Sequence, residues 1–453
     1  MSKRKQAGLW LASVMLLGAV GCGSTSTTPG QAGAGGEAAN GKSEEANKPF
    51  DYNQSGSIIL LNNLISTEYY NDYIEPHIKK KFPNVKVEYY RAGDQGISID
   101  SLIAAKKVPD VYTFATGGYQ SGYANKGILA NLDPLVKANK LDLSVFEDSI
   151  VQSIRNIGGK DELFALPWTY GINPMFYNKD IFDRYGVAYP KDGMTWDSKE
   201  LRDMLVKLNR PQDGISGIMF NLSQLILSNQ LSLPLVDAKT EKANVQAPGI
   251  KTIVDTFAEL YKLGGKVPDA DFDSSGLKAF MTSRNVALWA GNAAFPNLID
   301  VDKKGQGFNW DVVSLPTFKE APGAGTQYSG AVWAVSNVNG KQDLAAQIAY
   351  WLTSSKEVQT EGGSLMRFPT LKDAAVKASY GKGEKLMEGK NVKGLLVNKI
   401  PISVKATLYD SNANSIAVAK TMEVLKGTKD SNTALREAAE EIDKKIAELR
   451  GSK

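Results

Sequence analysis

The sequence of 453 residues contains one cysteine, Cys22, and one histidine, His77. A single cysteine closes no disulfide within the chain, so the fold must be held by apolar burial, which a chain of this size can supply. A single histidine excludes a multi-histidine zinc site. It also leaves a Ser-His-Asp triad only His77 to use, and His77 stands in the lysine-rich stretch HIKKK, where a solvated helix position is expected. Long hydrophobic runs are missing as well: Leu9 to Val20 falls short of the ~20 apolar residues that cross a ~30 Å hydrocarbon core, and no second span follows. Nor is there an excess of charge of one sign. The 53 Lys+Arg face 49 Asp+Glu, and Lys3, Arg4 and Lys5 fall in the leader, which takes the formal charge from +4 to +1 and leaves no basic footprint for nucleic acid.

What is present begins with that leader. A basic start, a short apolar run and a small-residue site have the build of a secretory signal peptide over residues 1–21. Its end, Ala19-Val20-Gly21-Cys22, resembles the lipobox of bacterial lipoproteins, which implies acylation of Cys22. Residues 22–56, rich in Gly, Ala, Ser, Asn and Glu, bury too little to offset the entropy of ordering and read as a flexible tether spanning roughly 30 to 35 Å. Inside it, Gly36 to Ser43 matches the spacing of a phosphate-binding loop letter for letter. With no strand before it and no helix after it, that match is chance. The triplet Asp269, Asp271 and Asp273 lacks the glycine and closing glutamate of an EF-hand and reads as a turn. No cofactor and no metal are expected.

From Ser57 onward, short apolar runs alternate with amphipathic stretches, an α/β pattern that predicts parallel sheets. Strands are expected in SIILLNNL, VKVEYY, Pro109–Phe114, Ile215–Phe220 and Val286–Ala290, with a strand pair at Trp310–Ser314 and Gly330–Val335. Helices are expected at Glu68–Lys81, Ile250–Leu263 and Lys341–Thr353, and between Asn414 and Arg450. The run Leu163–Tyr177 is too long for one strand and is interrupted by Pro167, Gly171 and Pro174, so two strands passing from one sheet to another fit it better.

Several landmarks then resemble, in order and spacing, the extracellular solute-binding proteins of ABC importers that carry sugars and oligosaccharides. They are ELFALPWTYGINPMFYNKDIFDRYGV, VPDVYTF with YANKGILANLDPLV, NVALWAGNAAFPNL and GGSLMRFPTLKDA. The resemblance implies a two-lobed periplasmic-binding-protein-like fold of class α/β, with a hinge of crossover strands and a ligand cleft between the lobes. The first lobe would take 57–167 and 331–370, the second 168–330 and 371–453. It further implies a monomeric receptor, lipid-anchored on the extracellular face of the cell membrane, that hands a carbohydrate to the transmembrane subunits of an ABC permease.

A sugar needs hydrogen-bonding partners for its hydroxyls and flat apolar partners for its C–H faces. In open parallel sheets these should lie on loops beyond the carboxyl ends of strands. The candidates are therefore Asn62, Asn63 and Glu68 after the first strand, Thr116 after the third, and Tyr328 and Trp333 about the second crossover. By resemblance to the family, Trp168 and Tyr170 beside the hinge, Trp289 and Asn292 in the second lobe, and Arg367 in the GGSLMRFPT loop join them. Arg367 could equally pair with a carboxylate across the lobes. Two other readings stand beside this one: an exported glycosidase using two carboxylates, for which Glu68, Asp94 and Glu162 are available without a telling spacing, and a binding protein for a solute other than sugar.

Overall fold

The structure, a computed structural model, describes residues 50–159, 161–265, 276–291 and 295–451. The leader, Cys22, most of the tether, the 36–43 match, the Asp269–Asp273 turn and Asn292 lie outside the described residues.

Among the described residues nine strands form two sheets: β1 (Gly56–Asn62), β2 (Val85–Arg91), β3 (Val111–Ala115), β4 (Leu166–Pro167), β5 (Met175–Asn178), β6 (Ser216–Phe220), β7 (Val286–Ala290), β8 (Trp310–Val313) and β9 (Ala331–Val335). The first sheet has the order β2-β1-β3-β9-β4 and the second β6-β7-β5-β8. Parallel pairing holds for β1 with β2 and β3, and for β6 with β7. All pairs made by β9 and β5 are antiparallel, so the sheets are mixed rather than parallel. The expected strand pair also needs correction. β8 pairs with β5 and β9 with β3 and β4, because the stretch between β8 and β9 carries the chain back from the second sheet to the first.

The helices that matter for the site are α1 (Asp148–Gly158), α2 (Leu222–Leu227), α3 (Pro248–Gly264), α4 (Gln342–Ser354), α5 (Asp410–Leu425) and α6 (Ser431–Gly451). α3 shows why they form. Pro248 opens its first turn, where the missing N–H costs nothing, and Ile250, Ile253, Val254, Phe257, Leu260 and Tyr261 recur at three- and four-residue steps on its buried face. Each such side chain stabilises the fold by roughly 1.5–3 kcal/mol before entropy is counted. α1 is a helix that the sequence reading did not anticipate; it buries Ile150, Ile154 and Ile157 by the same rule. Each sheet has its own core: Ile58, Leu60, Phe114, Leu166 and Trp333 belong to one, and Phe176, Phe220, Phe257, Trp289 and Trp310 to the other.

Two crossovers join the sheets, one between β4 and β5 and one between β8 and β9, and they run side by side. The Trp168 N–H donates to the Ala331 carbonyl at 2.9 Å and the Gly171 N–H to the Ser329 carbonyl at 2.7 Å. The approach explains two glycines. A Cβ on Gly171 would stand 2.8 Å from the Ser329 oxygen, and one on Gly330 1.9 Å from the Thr169 oxygen. The 367–370 segment lies on the other side of the first crossover, with Thr169 bridged to Pro369 and the Tyr170 N–H donating to the Phe368 carbonyl at 3.0 Å.

Candidate functional site: a polar cavity beside the crossovers

A cavity of about 510 Å³ opens beside the crossovers. That is within the usual range for small-molecule sites. One wall is Thr116 and Gly117, just past the carboxyl end of β3, with Ile157 at the end of α1. The opposite wall comes from α2 and the segment after it, including Ser223, Ser228 and Leu233. Gln327, Tyr328 and Ser329 of the second crossover line it as well, and Ser403 to Asn414 complete it.

This last wall is tied down from both sides. The Ser403 N–H donates to Ser153 Oγ at 2.8 Å, Asn156 Nδ2 to the Ser403 carbonyl at 2.6 Å, and the Ala406 N–H to the Asn156 carbonyl at 3.1 Å, which fastens it to α1. The buried Gln327 holds the other side: its Oε1 accepts from the Val404 N–H at 2.9 Å and its Nε2 donates to the Asn229 carbonyl at 3.0 Å. At the start of α5, Thr407 and Asp410 are tied together. The Thr407 N–H and hydroxyl donate to the Asp410 carboxylate at 2.8 and 2.7 Å, and the Tyr409 N–H donates to Thr407 Oγ1 at 3.2 Å. Burial pushes the Asp410 carboxyl above its ordinary range, opposed by the two bonds from Thr407.

Of the residues expected to touch a ligand, Thr116 and Tyr328 line this cavity. Thr116 Oγ1 accepts from the Gly330 N–H at 3.3 Å, and the Tyr328 hydroxyl is shared between the Thr169 and Ala331 carbonyls at 3.1 and 3.3 Å. Tyr170 stacks on Tyr328 with centroids 6.2 Å apart and donates to the Thr326 carbonyl at 3.2 Å; burial pushes its hydroxyl up to about 12.

The remaining candidates do something else in this structure. Asn62 is fully enclosed: its amide donates to the Ile65 carbonyl at 2.7 Å and the Tyr89 hydroxyl at 2.8 Å, and its oxygen accepts from the Leu64 and Ile65 N–H groups at 2.9 and 3.0 Å. That satisfies every polar atom it has, so Asn62 shapes the loop and offers a ligand nothing. Asn63 and Glu68 are exposed, and bonds from its own backbone N–H and the Ser66 hydroxyl hold the Glu68 carboxyl below its ordinary range. Trp289 and Trp333 have no exposed surface; both rings fill cores, each with an indole N–H that finds no partner among the described residues. Trp168, 1% exposed, meets Trp333 edge to face at 5.5 Å. The Arg367 guanidinium lies 4.9 Å from the Tyr69 ring centre and 5.9 Å from that of Trp168, and among the described residues no carboxylate comes within ion-pair distance of it. Tyr69, Trp168, Trp333 and Arg367 thus form one cluster, apart from the cavity.

The profile of the bacterial extracellular solute-binding protein family matches residues 63–359. The chain belongs to that family. Solved structures agree on the fold of this solute-binding protein. A sugar transporter from Rhizobium etli in an open conformation is 20% identical, with a TM-score of 0.69 over 85% of this chain and 98% of that one. The sugar-binding protein MalE of Xanthomonas citri is 16% identical, with the same TM-score over 87% and 98%. An ABC substrate-binding protein from Listeria monocytogenes, in complex with cycloalternan, is 16% identical with a TM-score of 0.64 over 87% and 100%. The two sheets joined by crossovers are thus the mixed α/β architecture of the periplasmic binding proteins.

The residues that sequence reasoning missed are the hydroxyls and amides of 223–235, 327–329 and 403–415. A helix start with Thr407 and Asp410 at capping spacing was the one readable signal among them.

Proposed function

We propose that the protein is a receptor that captures a carbohydrate, an oligosaccharide in particular, in the cavity beside the crossovers and delivers it to an ABC permease. The observation that carries this reading is the composition of the walls: Thr116, Ser228, Gln327, Ser403, Thr407 and Asn414 offer hydroxyls and amides, while Leu227, Leu233 and Leu408 offer apolar contact. That mixture suits a polyhydroxylated ring. The solved relatives named above for sugar, or in complex with a saccharide, support the same ligand class. Because walls from both sides of the crossovers contribute, a ligand touching both favours the closed arrangement by the contacts that the open one lacks.

The binding role stands apart from catalysis. Asp410 is the one carboxylate among the described lining residues, whereas glycoside hydrolysis ordinarily uses two. Calorimetry and thermal shift with mono- to tetrasaccharides test the reading. Saturable binding without release of reducing ends is expected; binding of a peptide or polyamine with silence from every sugar would overturn it.

The anchoring reading rests on sequence. Acylated Cys22 would moor the receptor on the extracellular face of the cell membrane through the tether, as a monomer beside its permease. Among the described residues no helix is long and apolar enough to cross a membrane. Cys22→Ser is expected to release the protein into the medium with binding intact, and retention of the variant at the membrane would refute the anchor.

A further inference from the structure

We propose that the end of the cavity formed by the first turns of α5 receives an ammonium group, so that the preferred ligand is a saccharide carrying a free amine. This deepens the carbohydrate reading and rests on it.

The charge inventory comes first. Among the described lining residues there is no Lys, Arg or His, and Asp410 is the only acid. Its two oxygens accept one bond each, both from Thr407. A carboxylate has about four acceptor positions, so about half of them remain free. Among the described residues no cation pairs with it, and burial weighs against its charged form more than the two bonds from Thr407 favour it.

A second acceptor stands one helical turn further on. Asn414 is 6% exposed and lines the same cavity; its Nδ2 donates to Ser223 Oγ at 2.8 Å, and its Oδ1 is enclosed with no partner among the described residues. Residues four apart on a helix share a face. Asp410 and Asn414 therefore set a free carboxylate lone pair and an orphaned amide oxygen on one face of α5, and among the described residues no further side chain donates to them. A buried acceptor without a donor is costly, and the missing donors can come from the ligand. An ammonium supplies three N–H groups and the positive charge that Asp410 lacks, whereas a neutral hydroxyl supplies one donor and no charge. An acidic sugar would place a second anion beside Asp410 with no cation between them.

The test is calorimetry at about pH 7, where a sugar ammonium is largely protonated. The probes are gluco- and galacto-configured mono- to tetrasaccharides in neutral, aminated and uronate forms. The aminated form of at least one is expected to bind about tenfold more tightly than its neutral parent, with the uronate weakest. Asp410→Asn is expected to collapse that ratio to about unity. If that variant does not fold, salt serves instead: raising it from about 20 to about 500 mM should weaken the aminated ligand about threefold and leave the neutral parent unchanged. An aminated form no tighter than its parent, a preference that survives Asp410→Asn, or a preference indifferent to salt overturns the inference while the carbohydrate reading stands. Silence from the whole panel overturns both.

Discussion

Two regions border the crossovers, and they are built from different materials. The cluster of Tyr69, Trp168, Trp333 and Arg367 is made of large rings with a guanidinium laid against two of them. The wall from Ser403 to Asn414 is made of hydroxyls, amides and one carboxylate. Rings of this size attract attention in a sequence because they bind flat apolar faces well, yet the same property makes them good filler where sheets and crossovers meet. Small polar groups attract none, and here they surround the space. On the function proposed above, the aromatic cluster clamps the frame and the hydroxyls meet the solute.

The contrast can be broken most forcefully at Trp333. Replacing it with alanine should cost about 3–5 kcal/mol of stability, read by denaturant unfolding, while molecules that remain folded still bind. A variant of unaltered stability that no longer binds would move the ring from frame to site. Next in size is Gly330→Ala: with a Cβ 1.9 Å from the Thr169 oxygen the two crossovers must separate, at a cost of about 3 kcal/mol and with a change in binding, because both regions hang from them. Gln327→Leu addresses the polar wall. It strands the Val404 N–H and the Asn229 carbonyl, and about 1–3 kcal/mol of stability should be lost together with about tenfold in ligand affinity by calorimetry. Unchanged affinity would show that the wall needs no tether.

The smallest effect compares two carboxyls shifted in opposite directions, Asp410 in the polar wall and Asp133, which is paired with Arg155 on α1 outside it. Asp133 accepts bidentate bonds from Arg155 at 2.6 and 2.8 Å and a bond from the Leu163 N–H at 3.3 Å; Arg155 holds it below its ordinary range. A depressed folded pKa contributes stability that is present above the unfolded value of about 3.9 and lost as pH falls through the folded one. With both partners partly exposed, about 0.5–1 kcal/mol is at stake. Asp410 runs the other way: its raised folded pKa gives stability that is full below about pH 3.9 and lost as pH rises through the folded value. Unfolding measured from acid to neutral pH should therefore flatten in opposite senses in Asp133→Asn and Asp410→Asn. Slopes of the same sign would refute the assignment.

Much of the frame was legible. Val286–Ala290 is a strand at the predicted residues, Ile250–Leu263 lies within the helix Pro248–Gly264, and the interrupted run from Leu163 to Tyr177 does divide into β4 and β5 on different sheets. These features are carried by hydrophobic period and by proline, which act locally. Strand partnership was not legible: nothing local in Trp310–Ser314 or Gly330–Val335 says that one pairs with β5 and the other enters between β3 and β4. The site suffered most, because it depends on which distant polar segments converge. Thr116 could be found from its place at a strand end, whereas Ser403 and Asn414 are set beside it by contacts to Ser153 and Ser223 far away in sequence. Trp289 misled because a tryptophan at a strand end looks the same in sequence whether it faces a ligand or the core.

The position of β9 has a kinetic consequence. It occupies the place between β3 and β4, so at least one edge of each lacks its neighbour until the chain has been made through Val335. Early segments cannot settle into their final sheet before Val335 has been made, and pairing over such separations is slow. The order of strands thus couples closure of the first sheet to the late part of the chain, so that the ribosome makes most of the polypeptide before that sheet can close.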